Sequence, residues 1–195
     1  MNEHNSTYTV LVDYRRLIHT GADLTDVTAQ ARGAAGQTVM VFQDATGRYT
    51  EVDATSTAEE LAAHFGVEPP REAGPGRPKL GVVRGEVTLL PRHWAWLKSQ
   101  PGGASVTLRR LVDEARRVHQ HRDRARQAKD AVARVVGLCA GEQPQVEALT
   151  RDLYADRYEE AVGRLSDWSE DLRAYVTRLL REAQHAHAME EEAPR

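Results

Sequence analysis

The chain has 195 residues, of which 41% are hydrophobic and 28% are charged, as is usual for a globular protein with a sizeable core. No apolar run approaches the roughly 18 residues that a membrane helix requires, and the first ten residues do not resemble a secretory signal. The single cysteine, Cys139, excludes an internal disulfide, so we expect a cytoplasmic protein.

The net charge of −3 conceals an uneven distribution of charge along the chain. Residues 1–70 carry 4 basic and 10 acidic side chains, residues 71–134 carry 15 and 6, and residues 135–195 carry 7 and 13. A basic block attracts polyanions because binding releases their counterions. Packing of the basic block against the acidic flanks is the alternative interpretation.

Residues 7–66 predict a small α+β domain with the element order ββαββα. The runs TVLVD and RLIHT form a first hairpin, and TVMVF and RYTEVD flank a DATG loop in which Gly47 can take a positive φ. We expect Asp23 to cap the first helix, a capping box (TAEE) from Thr57 to start the second, and Gly66 to end it. No catalytic or metal-ligand set is recognisable there, which favours a scaffold or interaction domain.

The next segment, residues 67–78, is rich in proline and glycine and predicts a linker. Part of it, GPGRPK at Gly74–Lys79, resembles the core of an AT-hook, in which an arginine lies in the minor groove. That resemblance makes Arg77 and Lys79 candidate nucleic-acid contacts. A solvated linker is the alternative.

A predominantly helical region is predicted from residue 119 to residue 188, followed by a tail at 189–195. Before it, Leu108, Leu111 and neighbouring apolar residues follow the spacing of one helix face. The charged run HQHRDR at His119–Arg124 interrupts this face, so the sequence allows either one long helix or two.

The order of elements over residues 79–118 resembles the ribbon-helix-helix family of bacterial repressors. The matching segments are Val87–Leu90 as ribbon, Leu90-Pro91 at the start of the first helix, Pro101–Ala104 as turn, and Ser105–Val112 opening the second helix. The resemblance implies a homodimer paired through residues 82–90, with the paired ribbon in the major groove of DNA. It also implies that the second helix holds phosphate at its N-terminus.

The register of this ribbon is left open by the sequence. Its outward face would be Gly85, Val87 and Leu89, or alternatively Arg84, Glu86 and Thr88. A shift of one residue exchanges the two faces of a strand, so both sets cannot serve. The first set cannot hydrogen-bond to base edges, whereas in the second Arg84 could read guanine, beside an unfavourable carboxylate at Glu86.

Our first hypothesis is a DNA-binding protein that contacts phosphate through basic side chains, and the alternative is a dimerisation or protein-interaction module. The candidate nucleic-acid contacts are Arg77, Lys79, Arg84, Thr88, Arg109, Arg110 and Arg116. A solvated helix face balanced by acidic neighbours is the competing interpretation of the arginines. We expect no enzyme, cofactor or metal site, because no recognisable catalytic set occurs and the pair His119 and His121 has the wrong spacing for chelation on a helix.

The whole chain is also similar to an uncharacterised bacterial family described as a domain of unknown function. The matching segments are Asp44–Arg48, Gly76–Leu97 and Leu165–Arg173. This resemblance implies the layout of an α+β N-terminal part followed by helices, and it implies no activity.

Overall fold

A computed structural model describes residues 6–34, 36–67, 85–141, 143 and 145–192. The chain divides into two compact units, of which the first combines residues 1–69 with 121–195 and the second comprises residues 70–120. The fold is α+β, as the sequence predicts. No helix among the described residues is long and apolar enough to cross a membrane.

Four strands and seven helices make up the described part of the chain. The strands are β1 (Tyr8–Val12), β2 (Arg16–Gly21), β3 (Val39–Gln43) and β4 (Arg48–Glu51). The helices are α1 (Leu24–Gly33), α2 (Ala58–Phe65), α3 (Pro91–Ser99), α4 (Gly103–Ala140), α5 (Val146–Tyr154), α6 (Tyr158–Gly163) and α7 (Glu170–Glu191). Both predicted hairpins are confirmed.

The strands form one antiparallel sheet in the order β2-β1-β3-β4, so the two apolar strands β1 and β3 are central. Every residue of these two strands is buried. Alternate side chains of these strands belong to two hydrophobic clusters, one on each face of the sheet. Val10 and Val41 pack with α1 and α2, whereas Leu11 and Phe42 pack with the C-terminal helices. The sheet is therefore covered on both faces.

Helices α1 and α2 begin where the sequence places their caps. The Asp23 side chain accepts a hydrogen bond from the Thr25 backbone N–H at 2.8 Å. Thr57 and Glu60 form the reciprocal capping box, and Gly66 ends α2 with a φ of 71°. These caps fix two short helices against one face of the sheet.

The other face of the sheet is covered by the C-terminal part of α4 together with α5, α6 and α7. The segments predicted as 7–66 and 119–188 thus pack around a shared core within the first unit. Helix α7 continues to Glu191, beyond the start of the predicted tail at residue 189.

The second unit contains α3 and the first half of α4. Helix α3 begins at Pro91 as predicted, and α4 is one continuous helix of 38 residues that starts at Gly103, two residues before the expected Ser105. The predicted ribbon at Val87–Leu90 is not a strand, because residues 85–90 carry no strand pairing in the single chain. A ribbon strand acquires its ladder only from a partner strand.

Candidate functional site

Four of the seven candidate nucleic-acid contacts lie within the described residues, and three lie outside them. Thr88 is exposed just before α3, and the arginines at 109, 110 and 116 are exposed on the first half of α4. Arg77, Lys79 and Arg84 lie outside the described residues. The structure therefore brings together only the helical arginines.

Four exposed arginines, which we call the arginine surface, occupy two rows of α4 that lie about 100° apart around the helix, on either side of Asp113. They are Arg109, Arg110, Arg116 and Arg117. Members of a row are seven residues apart, which is nearly two helical turns and about 10.5 Å along the axis. The ion pairs among the described residues include none of the four. Their charges are therefore available to a ligand.

Large apolar side chains are exposed in the same segment. They are Val87, Leu90, Trp94, Trp96, Val106, Leu111, Val112 and Val118. Among described residues 85–120, only Leu97 and Thr107 are buried. The segment thus combines basic and apolar side chains on its surface, which is typical of an interface.

A buried polar cluster, which we call the Asp44 network, joins the DATG loop to α7. The Asp44 carboxylate is 3% exposed and accepts hydrogen bonds from Tyr175 Oη at 2.9 Å, Arg178 Nη2 at 2.9 Å and Thr9 Oγ1 at 3.1 Å. Arg178 also donates to Glu182 at 3.0 Å. The network ties the sheet to the last helix.

Burial controls the ionisation of the Asp44 network. It raises the pKa of Asp44, and the nearby Arg178 guanidinium opposes that shift without cancelling it. Burial and the Asp44 charge hold the pKa of Tyr175 well above its usual range, so its hydroxyl remains a donor. The partners are all internal to the chain, which indicates a structural role.

A second buried carboxylate, Asp152, fixes the turn between α5 and α6. It accepts hydrogen bonds from Arg157 Nη2 at 2.6 Å, Arg157 Nε at 3.1 Å and Arg164 Nε at 3.0 Å. The bonds from Arg157, followed by those from Arg164, lower the pKa of this carboxyl. Both Arg157 bonds go to Oδ1 and the Arg164 bond goes to Oδ2, so charge-assisted hydrogen bonds hold both oxygens of the carboxylate and orient it.

Replacing Asp152 with asparagine should make the free energy of unfolding fall less steeply as the pH is lowered. A carboxyl whose pKa is lower in the folded chain contributes stability that is present above its unfolded pKa, about 3.9, and is lost as the pH falls through the folded value. Thermal unfolding between neutral pH and pH of about 3 measures this slope. Asp167→Asn, at an exposed position, is the control, and equal slopes in both variants would refute the role of Asp152.

A third polar cluster joins α4, α6 and α7. Lys129 Nζ lies 2.5 Å from the Asp156 carboxylate, which also accepts a hydrogen bond from Tyr158 Oη at 3.0 Å. His187 Nε2 lies 3.6 Å from the same carboxylate. The other ring nitrogen, His187 Nδ1, is buried and has no hydrogen-bond partner among the described residues, with Glu190 Oε2 3.9 Å away.

No group of three or more histidine, cysteine, aspartate or glutamate side chains within the described residues has the geometry to hold a metal ion. Burial raises the pKa of the Cys139 thiol to about 12, so it is protonated at neutral pH and is a poor nucleophile.

The sheet with helices on both faces, together with a second, helical unit, defines a two-unit α+β protein. The chain belongs to the family described as "Uncharacterized protein conserved in bacteria (DUF2239)", whose model matches residues 7–180. The resemblance to an uncharacterised bacterial family is thereby confirmed. No curated protein and no solved structure is significantly similar to the chain.

Proposed function

We propose that the chain binds DNA through the arginine surface of α4. The observation that carries the proposal is that four arginines lie exposed on two rows of α4, on either side of Asp113, and take part in no ion pair among the described residues. Guanidinium groups bind phosphate oxygens in bidentate geometry, and such contacts release counterions from the duplex. The expected role is binding, in the cytoplasm, without catalysis.

The proposed contacts favour phosphates over bases. Seven-residue spacing places the arginines of one row about 10.5 Å apart, a distance that flexible side chains can adjust to successive phosphates along a groove. Base reading would depend on the segment around Thr88, with Arg77, Lys79 and Arg84 as further candidates. We therefore expect affinity for duplex DNA with little sequence preference.

A salt titration with a fluorescent duplex measures this binding. If about five phosphates are neutralised, the slope of log K against log salt should lie near −4 to −5. The double variant with Arg109→Gln and Arg116→Gln should bind more weakly and reduce the magnitude of the slope by about 2.

The matched control carries Arg151→Gln and Arg173→Gln, two exposed arginines of α5 and α7. It removes the same charge outside the arginine surface and should retain the slope of the unmodified chain. Equal loss in both double variants would refute a specific surface, and absence of binding at low salt would refute DNA binding altogether.

The alternative function is a dimerisation or protein-interaction module, with residues 82–90 as the pairing segment of a homodimer. The observation that favours it is the exposure of Val87 at 62% and Leu90 at 48%. The DNA titration of the unmodified chain discriminates between the two, because an interaction module alone gives no salt-dependent binding. Arg84→Ala then tests the segment itself: it weakens any DNA binding if residues 82–90 contact DNA and leaves it unchanged if they only pair.

A further inference from the structure

The first half of α4 carries an apolar stripe of which the described residues leave three members exposed and one, Leu108, half-buried. The stripe comprises Leu108, Leu111, Ala115 and Val118, whose spacing alternates between three and four residues. The charged run His119–Arg124 interrupts this spacing, and further apolar positions of α4 follow from Ala125. Those later positions are buried in the core of the first unit, whereas Val118 is 69% exposed.

Spacing of this kind is the apolar face of an amphipathic helix, and over these two heptads it also fits the seam of paired helices. With Leu108 and Ala115 at position a, Leu111 and Val118 fall at position d, which are the two positions that a partner helix covers. An isolated helix is marginal in water and acquires its stability by packing an apolar face. Since the second unit buries only Leu97 and Thr107 among its described residues, its own packing does not cover the stripe.

We propose that a second copy of this chain covers the apolar stripe, with the two α4 helices parallel and in register. Charge selects this arrangement. In a parallel pair, position g of one helix lies beside position e of the next heptad in the other, which places Glu114 beside His119 of the second copy. That pairing is favourable because the carboxylate can accept a hydrogen bond from an imidazole N–H.

The antiparallel arrangement that buries the same four apolar residues is unfavourable. It brings Glu114 next to Glu114 of the second copy, and like charges in contact repel. The arginine surface occupies positions b and c, on the outer side of the pair, so pairing neither buries these charges nor opposes them. Self-association through this stripe thus goes beyond DNA binding and does not depend on it.

Light scattering on the full chain tests the self-association. The unmodified protein should be a dimer, and Val118→Glu should weaken its association at least about tenfold, because a carboxylate then lies in the apolar seam. Met189→Glu places the same charge at an exposed apolar position of α7 and should leave the dimer intact. A monomeric unmodified protein, or equal effects of the two variants, would overturn the proposal.

Cysteine cross-linking tests the direction of the helices. A disulfide requires Cα atoms within about 7 Å, which a parallel pair in register provides at position d. Under mild oxidation, Val118→Cys should give a covalent dimer that dithiothreitol reverses. Asp113→Cys, at the outer position f, should not, and the buried Cys139 of the unmodified chain provides the background. A dimer in which Val118→Cys fails to cross-link would overturn the parallel arrangement.

Discussion

Replacing Arg178 with methionine should lower the free energy of unfolding by about 3 kcal/mol at neutral pH. The substitution leaves the carboxylate of Asp44, which is 3% exposed, without its cation. Breaking a buried pair by removing one partner costs more than the pair itself contributes, because an uncompensated charge remains. We expect the lower end of the usual range, since the Arg178 side chain is 35% exposed.

The deficit of the Arg178→Met variant should shrink as the pH falls. Burial already raises the pKa of Asp44, and loss of the guanidinium that opposes this shift raises it further. A carboxyl with a raised folded pKa contributes stability that is present below its unfolded pKa and is lost as the pH rises through the folded value. The two proteins should therefore converge below a pH of about 4, where Asp44 is neutral in both.

Urea unfolding at neutral and acidic pH measures this deficit. Glu182→Gln is the control, because it removes the exposed partner of the same arginine and should cost only about 0.5 kcal/mol. A deficit that does not change with pH would show that lost packing of the arginine stem, rather than the Asp44 charge, causes the effect.

The local parts of this fold can be predicted because their signals lie within a few residues. The capping box at Thr57 and the hairpin glycine at Gly47 can each be predicted from a few neighbouring residues. The runs TVLV and VMVF lack the alternation of apolar and polar residues that marks a strand with one buried face. Continuous apolar strands indicate burial on both faces, which is where β1 and β3 lie.

The long-range parts of the fold have no local signal. Asp44 reads as an ordinary turn residue, and its partners Tyr175 and Arg178 follow more than 130 positions later. Tyr175 lies on the buried face of α7, but its hydrogen bond depends on how α7 meets the sheet. Pairings of this kind are set by tertiary packing, so the sequence alone does not predict the Asp44 network.

The candidate interface is predicted in part. The arginines at 109, 110 and 116 are exposed on a helix as expected, because they lie away from the apolar positions of α4. The ribbon at Val87–Leu90 is a different kind of prediction, since its ladder depends on a second chain. Which face of the predicted ribbon points outward would be decided by how two copies pair, and the sequence of one chain does not determine it.

Replacing Gly47 with alanine should lower the free energy of unfolding by about 2–4 kcal/mol. Gly47 has a φ of 65°, which disfavours any residue with a Cβ atom. A Cβ atom there would also lie 2.6 Å from the Ala131 carbonyl oxygen and 2.8 Å from its Cα atom, both in the backbone of α4. The hairpin loop cannot move away freely, because Arg134 donates a hydrogen bond to the Thr46 carbonyl.

Gly33→Ala provides the matched control for this substitution. Gly33 lies at the end of α1, where an added Cβ atom meets nothing within 4 Å. There alanine should stabilise the fold by about 0.4–1 kcal/mol, since it restricts the unfolded chain without strain. Opposite signs for the two variants in urea unfolding would identify the contact between the hairpin and α4 as a requirement of the fold. A neutral effect of Gly47→Ala would instead mean that the hairpin can shift away from α4.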